Sequence, residues 1–313
     1  MPISLGRAQR HVAEWTEQFR LLPPRQMWPK HLFHACQFDV AARILTLGEL
    51  RCRNGAGELL CDVANQGALW NNPAAHDYAR LYFRPRNSFH LKTEGIKRLG
   101  DLYRVDPHMS IPVILAFDLP RVMTLEGSGF LYGNFAHQGA QVLQGDAEFD
   151  TLDFAKIYHD GSTSQQDGDV IREARMSEVV VPGAVSTVLL NAVLCRTTHD
   201  AATLKHLLGG AVPNARIVVP QSASIFQRRE MYITELYSDA GSVHLSLSFP
   251  HHGNLAGTKV RIYSDEGDKT YHLQRPKVVL GDLRAISPDT TWTIEIEDCI
   301  AYRAPIPWSS GLV

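Results

Sequence analysis

The chain has 313 residues, a formal net charge of −2 and a 44% apolar share, enough for one large domain or two ordinary ones with a sizeable core. That charge excludes a broadly basic nucleic-acid coat, so any phosphate contact must come from a local patch of Lys and Arg. The five scattered cysteines, Cys36, Cys52, Cys61, Cys195 and Cys299, include no Cys-x-x-Cys pair; they point to buried thiols in a reducing compartment rather than to zinc or a disulfide framework.

The first twenty residues are polar and carry His11, Glu14, Glu17 and Arg20, which does not read as a signal peptide. No apolar run approaches the roughly eighteen residues of a membrane span, so a soluble cytoplasmic protein is expected. Residues 7–20 have helical spacing, with Val12, Trp15, Phe19 and Leu22 on one face. Leu21-Leu22-Pro23-Pro24 ends that helix, and residues 1–27 read as an N-terminal helical appendage. Leu32-Phe33-His34-Ala35-Cys36 reads as a short strand. Asp39 is placed to cap a following helix that Gly48 stops. Gly, Asn and Pro interrupt every period across residues 53–75, which read as loop with some helix. Ala79, Leu81 and Phe83 alternate with Arg80, Tyr82 and Arg84, the pattern of a strand. Residues 89–99 fit a short helix, residues 111–117 a buried strand, and Phe130 to Asn134 a turn or strand end. A polar loop spans 159–171, and Glu178 opens a valine-rich strand.

Beyond residue 198 the texture changes. A brief helix at 204–208 and a strand at 215–219 precede short alternating strands separated by Gly, Asp and Pro. That spacing suggests a small β-sandwich or barrel. There is no Gly-rich dinucleotide fingerprint and no phosphate-binding loop. The pair His251-His252 lacks partners at ligand spacing, so no metal site is expected.

Several short stretches carry chemistry-bearing residues: Leu32-Phe33-His34; His76-Asp77-Tyr78; Tyr82-Phe83-Arg84-Pro85-Arg86; Tyr132 to His137; and Arg175 to Pro182. From the residues alone, each also has a plain reading. An acid opening a strand is usually a solvated edge residue, and a lone histidine on an apolar strand a satisfied core residue. Arg84 and Arg86, held by Pro85, are either a solvated strand end or a fork for an anion such as a pyrophosphate. Alternation puts Tyr78, Tyr82 and Arg84 on one face, to stack on a ligand or line the core, and Phe83 on the other. His76 and Asp77 either orient a ligand or cap the strand entry, and His137 sits in what reads as a surface turn.

Taken together, the early-strand histidine, the aromatic–basic cluster and the glutamate opening a late strand resemble the DarT family of nucleic-acid ADP-ribosyltransferases over roughly residues 28–195. The resemblance implies an α+β fold: an ADP-ribosyltransferase-like split β core with flanking helices at 28–198, then a mainly-β domain of unknown role at 199–313. It implies an NAD-dependent ADP-ribosyltransferase, with NAD as substrate, that modifies a base in single-stranded nucleic acid, where bases are unstacked and within reach. DNA is favoured and guanine is among the candidate bases. Transfer onto RNA adenine or onto protein, and a degenerate non-enzymatic binding module, are the alternatives.

The same resemblance assigns Glu178 the central role, because one carboxylate can stabilise the positive charge that develops on the ribose and take a proton from the nucleophile. It implies that His137 acts at the target base, and that His34, His76, Tyr78, Tyr82, Arg84 and Arg86 bind NAD. It also implies a toxin, with an antitoxin protein or a reversing ADP-ribosyl hydrolase as partner. One departure stands out. Many family members carry an arginine in the loop ahead of the His-Asp-Tyr motif, whereas residues 62–75 here hold no Arg or Lys and offer Asn65, Gln66, Asn71 and Asn72 instead. That favours a divergent branch.

Overall fold

The computed structural model describes residues 1–58, 71–101, 104, 106–211, 213–221, 224–239, 242–250, 255–280 and 289–308. Cys61, Asn65, Gln66 and the His251-His252 pair lie outside the described residues.

Among the described residues, nine strands belong to the first part of the chain: β1 (His31–Gln37), β2 (Glu49–Arg51), β3 (Tyr78–Tyr82), β4 (Pro112–Asp118), β5 (Gly129–Leu131), β6 (Glu178–Pro182), β7 (Ala184–Ser186), β8 (Leu190–Cys195) and β9 (Arg216–Val218). Seven of them form one sheet in the order β5-β6-β3-β1-β4-β8-β9, and β2 pairs with β7 beside it. The long apolar run of β4 is buried on both faces and lies inside the sheet between β1 and β8, as a continuous rather than alternating pattern requires. Every pairing in the large sheet is antiparallel except that of β8 with β9.

Eight α-helices surround the sheet: α1 (Leu5–Gln18), α2 (Phe38–Leu47), α3 (Ser88–Thr93), α4 (Leu119–Met123), α5 (Asp146–Phe149), α6 (Phe154–Ile157), α7 (Gly168–Ala174) and α8 (Thr198–Leu208), counted among the described residues. The cap of α2 is Gln37 and not Asp39. Asp39 sits one residue inside, where its charge meets the positive helix end and its Oδ1 accepts from the amide of Val40 at 2.7 Å. Gly48 ends α2 at φ +78°, a conformation that favours glycine. The polar loop expected over 159–171 stops at Asp167, because Gly168–Ala174 coils into α7 and buries Ala174.

The N-terminal helix is part of the main core. Ser4 caps α1, accepting from Arg7 N at 3.1 Å. Ala8 and Phe19 are buried in one cluster with Trp28, Leu32, Phe83 and Phe149. At the other end, α8 and β9 also belong to this first body: Leu204 and Leu208 join the same cluster, and β9 closes the sheet edge. The sheet therefore runs past the boundary expected at 198.

The last third is β structure: β10 (Ile233–Asp239), β11 (Ser242–Leu247), β12 (Thr258–Ser264), β13 (Gly267–Leu273), β14 (Lys277–Leu280), β15 (Thr291–Ile296) and β16 (Cys299–Pro305). A β10-β11-β14 sheet and a β13-β12-β15-β16 sheet enclose one core that includes Leu236, Leu245, Ile262, Trp292 and Ile294. Alternation in β12 sends Val260 and Ile262 inward and leaves Lys259 and Arg261 partly exposed, the period-2 signature of a half-buried strand. This body is tied to the first by the bonds from Arg303 N to Thr203 Oγ1 at 3.0 Å and from Ser110 Oγ to Ile300 O at 2.6 Å. Among the described residues no helix is long and apolar enough to cross a membrane.

Candidate active site

Strands β5, β6, β3 and β1 are consecutive in the sheet, and their register sets the site. Glu178, the first residue of β6, lies opposite Tyr82 of β3 on one side and Leu131 of β5 on the other. Its side chain has no exposed surface. A carboxylate in such a place needs a cation and hydrogen bonds to remain ionised, and Arg80 supplies them. Arg80 is two residues before Tyr82, so the period of a strand puts both on one face. Its Nε donates to Glu178 Oε2 at 2.7 Å and its Nη2 to Oε1 at 2.5 Å, the parallel fork that suits a guanidinium to a carboxylate. Nη2 also donates to Asn134 Oδ1 at 2.7 Å. Burial draws the Arg80 pKa down, but Glu178 and Tyr82 outweigh it and raise it, so Arg80 stays charged. The Tyr82 hydroxyl is hydrogen-bonded to Glu178 as well; burial first, then the Glu178 charge, push its pKa upward.

His34 is held from the β1 side. Its Nδ1 lies 3.1 Å from the main-chain carbonyl of Arg80. A carbonyl can only accept, so Nδ1 carries the proton and Nε2 is left as the acceptor of the neutral ring. Burial lowers the His34 pKa; the Arg80 carbonyl works against that and the Arg80 charge with it. Two strand spacings, about 10 Å, separate β1 from β6, and the register sets Phe33, the neighbour of His34, opposite Tyr82. His90 completes this corner. Its ring meets the Tyr82 ring edge-on at 5.6 Å, and Nδ1 contacts Pro85 O at 2.7 Å. Burial lowers the His90 pKa to about 4, so it too is neutral.

The other residues singled out from sequence are distributed around this centre. Tyr78 packs edge-on against Phe135 at 5.4 Å, and Asn72 Nδ2 donates to Phe135 O at 2.9 Å. The segment 132–137 thus covers the Tyr78–Arg80 face of β3, with Asn134 as its polar contact to the site. His137 is exposed on the turn closed by its amide to Asn134 O at 3.0 Å. His76 lies in the 3₁₀ turn that enters β3, next to Asp77, whose Oδ1 accepts from Asn54 at 2.7 Å.

Arg84 and Arg86 converge on Asp160. Arg84 is 2% exposed and donates to Asp160 Oδ1 at 2.8 Å and to the carbonyls of Ile157 and His159. Its guanidinium lies over Trp28, 4.9 Å from the ring centroid. Burial lowers its pKa to about 9, with Asp160 resisting and Arg175 and Arg86 adding to the fall. Arg175 holds the same turn, donating to His159 O at 2.9 Å and Gly161 O at 2.7 Å. Arg25 reaches Tyr158 O at 2.7 Å. Four guanidiniums therefore clamp the base of the loop that leads to Glu178.

Sequence reading passed over Arg80, Asn134 and His90. The signal for Arg80 was present: it shares strand parity with Tyr78 and Tyr82. Asn134 and His90 carry no such signal, since loops bring them in. The basic run Gln227-Arg228-Arg229 is partly structural: the amides of Gln227 and Arg228 donate to the buried Glu94 at 2.8 Å and 2.9 Å, and Arg228 Nη2 donates to Arg196 O at 2.8 Å.

A protein-family model described as "ssDNA thymidine ADP-ribosyltransferase, DarT" matches residues 62–232, more than half of the chain. No curated protein gives a significant sequence match. Solved structures that resemble the chain include Thermus sp. 2.9 DarT in complex with NAD+, at 18% identity and a TM-score of 0.47, covering 61% of this chain and 96% of that one. The same Thermus protein in complex with ADP-ribosylated ssDNA gives 16% identity and a TM-score of 0.49, covering 62% and 95%. Thermosipho africanus DarTG in complex with ADP-ribose gives 16% and 0.49, covering 67% and 53%.

Proposed function

The chain belongs to the DarT family of NAD-dependent ADP-ribosyltransferases, and from that premise we propose that it transfers ADP-ribose from NAD onto a base of single-stranded DNA, with Glu178 as the catalytic carboxylate. The observation that carries this reading is the position of Glu178. It is a fully buried carboxylate at the first residue of β6, paired with Arg80 and beside Tyr82, and His34 is bonded to the main chain of Arg80. The side chains fit the substrate: a cation for a diphosphate, aromatic rings for a pyridinium, and a carboxylate for a ribose that becomes cationic.

In the reaction, the bond between nicotinamide N1 and ribose C1′ breaks, and its electron pair leaves with neutral nicotinamide. Positive charge grows on C1′ and O4′, and the Glu178 carboxylate stabilises it. A base nitrogen attacks C1′ and loses a proton, which Glu178 accepts. Before the dinucleotide arrives, Tyr82 and the Arg80 fork hold the carboxylate in place, while His34 presents Nε2 as an acceptor for a ribose hydroxyl. The turn clamped by Arg84, Arg86 and Arg175 sets the base of the loop at 161–167, the acceptor side of the site. Thymidine, the base in the family description, and guanine are both acceptable nucleophiles, since each offers an N–H that Glu178 can deprotonate. A role as a toxin, held in check by a neutralising protein or a reversing hydrolase, follows from what modified bases do to replication.

The test is incubation of the protein with labelled NAD and separate pools of single-stranded DNA, RNA and protein lysate, beside Glu178→Gln. Label on DNA, lost in the variant, supports the reading. Label on RNA or protein alone moves the acceptor, and no label anywhere rejects the transferase.

A further inference from the structure

The Arg80–Glu178 pair presents a contradiction for a working active site. Both carboxylate oxygens of Glu178 are taken by Arg80, the Tyr82 hydroxyl is bonded there too, and no surface of Glu178 is accessible. A carboxylate so covered touches no ribose. The accessible part of the pair belongs to Arg80, whose side chain is 21% exposed. Among the described residues its third nitrogen, Nη1, makes no hydrogen bond, while Nε and Nη2 are engaged. An incoming ligand therefore meets the guanidinium before it meets the carboxylate.

NAD is built to resolve this. At neutral pH it carries a positive pyridinium at one end of a ribose and an anionic diphosphate at the other. Resting on the transferase reading above, we propose that Arg80 is an exchangeable counter-ion: the diphosphate of the dinucleotide draws the guanidinium off Glu178, and the carboxylate, released, faces the pyridinium-bearing ribose. The exchange leaves each charge paired. Glu178 trades one cation for another, and Arg80 trades a carboxylate for a diphosphate that it can grip with the same fork. Charge balance is what makes the swap affordable in a buried site, where an unpaired carboxylate or guanidinium costs far more than the difference between two pairs. Asn134, which shares Nη2 with the carboxylate, is the hinge contact that retains the guanidinium beside the site while its other bonds change. Tyr82 keeps its hydrogen bond to Glu178 throughout, and so preserves the aim of the carboxylate once Arg80 has gone.

This exchange makes predictions of opposite sign. A ligand with a diphosphate but no pyridinium has to break the resting pair and offers Glu178 nothing in return. ADP-ribose is such a ligand. Calorimetric titration of ADP-ribose into the full-length chain, into Arg80→Gln and into Glu178→Gln reads the difference without any turnover. Arg80→Gln is expected to bind ADP-ribose more weakly, by about tenfold or more, for the loss of one charge-assisted fork. Glu178→Gln is expected to bind it more tightly than the unmodified chain, because its Arg80 is already free of a charged partner. Arg80→Lys keeps the charge without the fork, and is expected to lie between the unmodified chain and Arg80→Gln; it serves as the measured variant if Arg80→Gln does not fold. Equal affinity in the unmodified chain and the Arg80 variant, or weaker binding by Glu178→Gln, overturns the exchange and leaves Arg80 as a fixed support of the carboxylate. Failure of the transferase reading has a different signature: neither NAD nor ADP-ribose then binds the unmodified chain at all.

Discussion

His34 donates from Nδ1 to the main-chain carbonyl of Arg80 at 3.1 Å, a bond that ties the middle of one central strand to the side chain of its neighbour. The bond orients the imidazole and leaves Nε2 facing away from β3. An asparagine amide can imitate the donor but cannot place an acceptor where Nε2 stands. His34→Asn is therefore expected to melt within a few degrees of the unmodified chain while its NAD affinity falls about tenfold. His34→Ala leaves a buried carbonyl unpartnered and is expected to lose about 1–3 kcal/mol of stability besides. Thermal melts and NAD titration check both; unchanged NAD affinity in His34→Asn removes His34 from the binding site.

Arg84 contributes through the turn it holds. A lysine at that position carries the charge but has one nitrogen to serve Asp160 and the two carbonyls that Arg84 now reaches. Arg84→Lys is expected to cost about 2 kcal/mol and to speed proteolytic cutting within residues 161–167. Limited proteolysis with mass identification of the fragments reads this directly. An unchanged cutting rate shows that the turn is held by other means.

Acid should weaken the fold through histidines kept neutral. Burial, aided by Arg7, lowers the His11 pKa to about 3, and burial lowers that of His90 to about 4, both from 6.5. Below pH 6.5 the unfolded chain takes up protons that these folded rings refuse. Their contribution is complete above about pH 6.5, shrinks as the pH falls, and is gone below the folded values, each ring adding a slope of up to about 1.4 kcal/mol per pH unit. Urea unfolding at pH 7, 6 and 5 should show midpoints falling step by step. His11→Phe should show a shallower fall; parallel curves for the two proteins contradict the assignment.

Gly129 is a steric requirement of the strand beside Glu178. A Cβ there would stand 2.3 Å from Val142 Cγ1 and 2.8 Å from Leu143 O. The second neighbour is backbone and cannot swing aside. Gly129→Ala is expected to cost about 1–3 kcal/mol and, through the Leu131–Glu178 pairing, to lower transfer activity as well. Stability equal to that of the parent would show that the 142–144 segment yields.

Much of this was legible in the residues, and the failures have physical causes. Strand periodicity placed β1, β3, β4 and β6 because each alternates or runs apolar, and parity grouped Tyr78 with Tyr82. The same parity covers Arg80, yet an arginine between aromatic residues reads as a solvated side chain until its buried partner is seen. Asp39 lies two positions past the cap, Gln37, whose backbone is extended, and an acid inside the first turn still meets the positive helix end. The domain boundary at 198 followed a change in texture; that change marks the start of short strands, but β9 hydrogen-bonds in parallel to β8, and such pairing across a helix leaves no local signature. Arg84 and Arg86 looked like an anion fork, which they are, and the anion they meet is Asp160 of the chain itself.

The aromatic cluster around α1 has an experimental use. Trp15 stands 5.1 Å from Tyr158, and His11 contacts the Tyr158 hydroxyl at 2.9 Å. Tyr158 immediately precedes the turn clamped by the arginines. Indole emission responds to the distance and orientation of such neighbours, so the helix that sequence sets apart as an appendage works as a built-in optical reporter. Any displacement of that turn would register in the natural fluorescence of the chain, with no label attached.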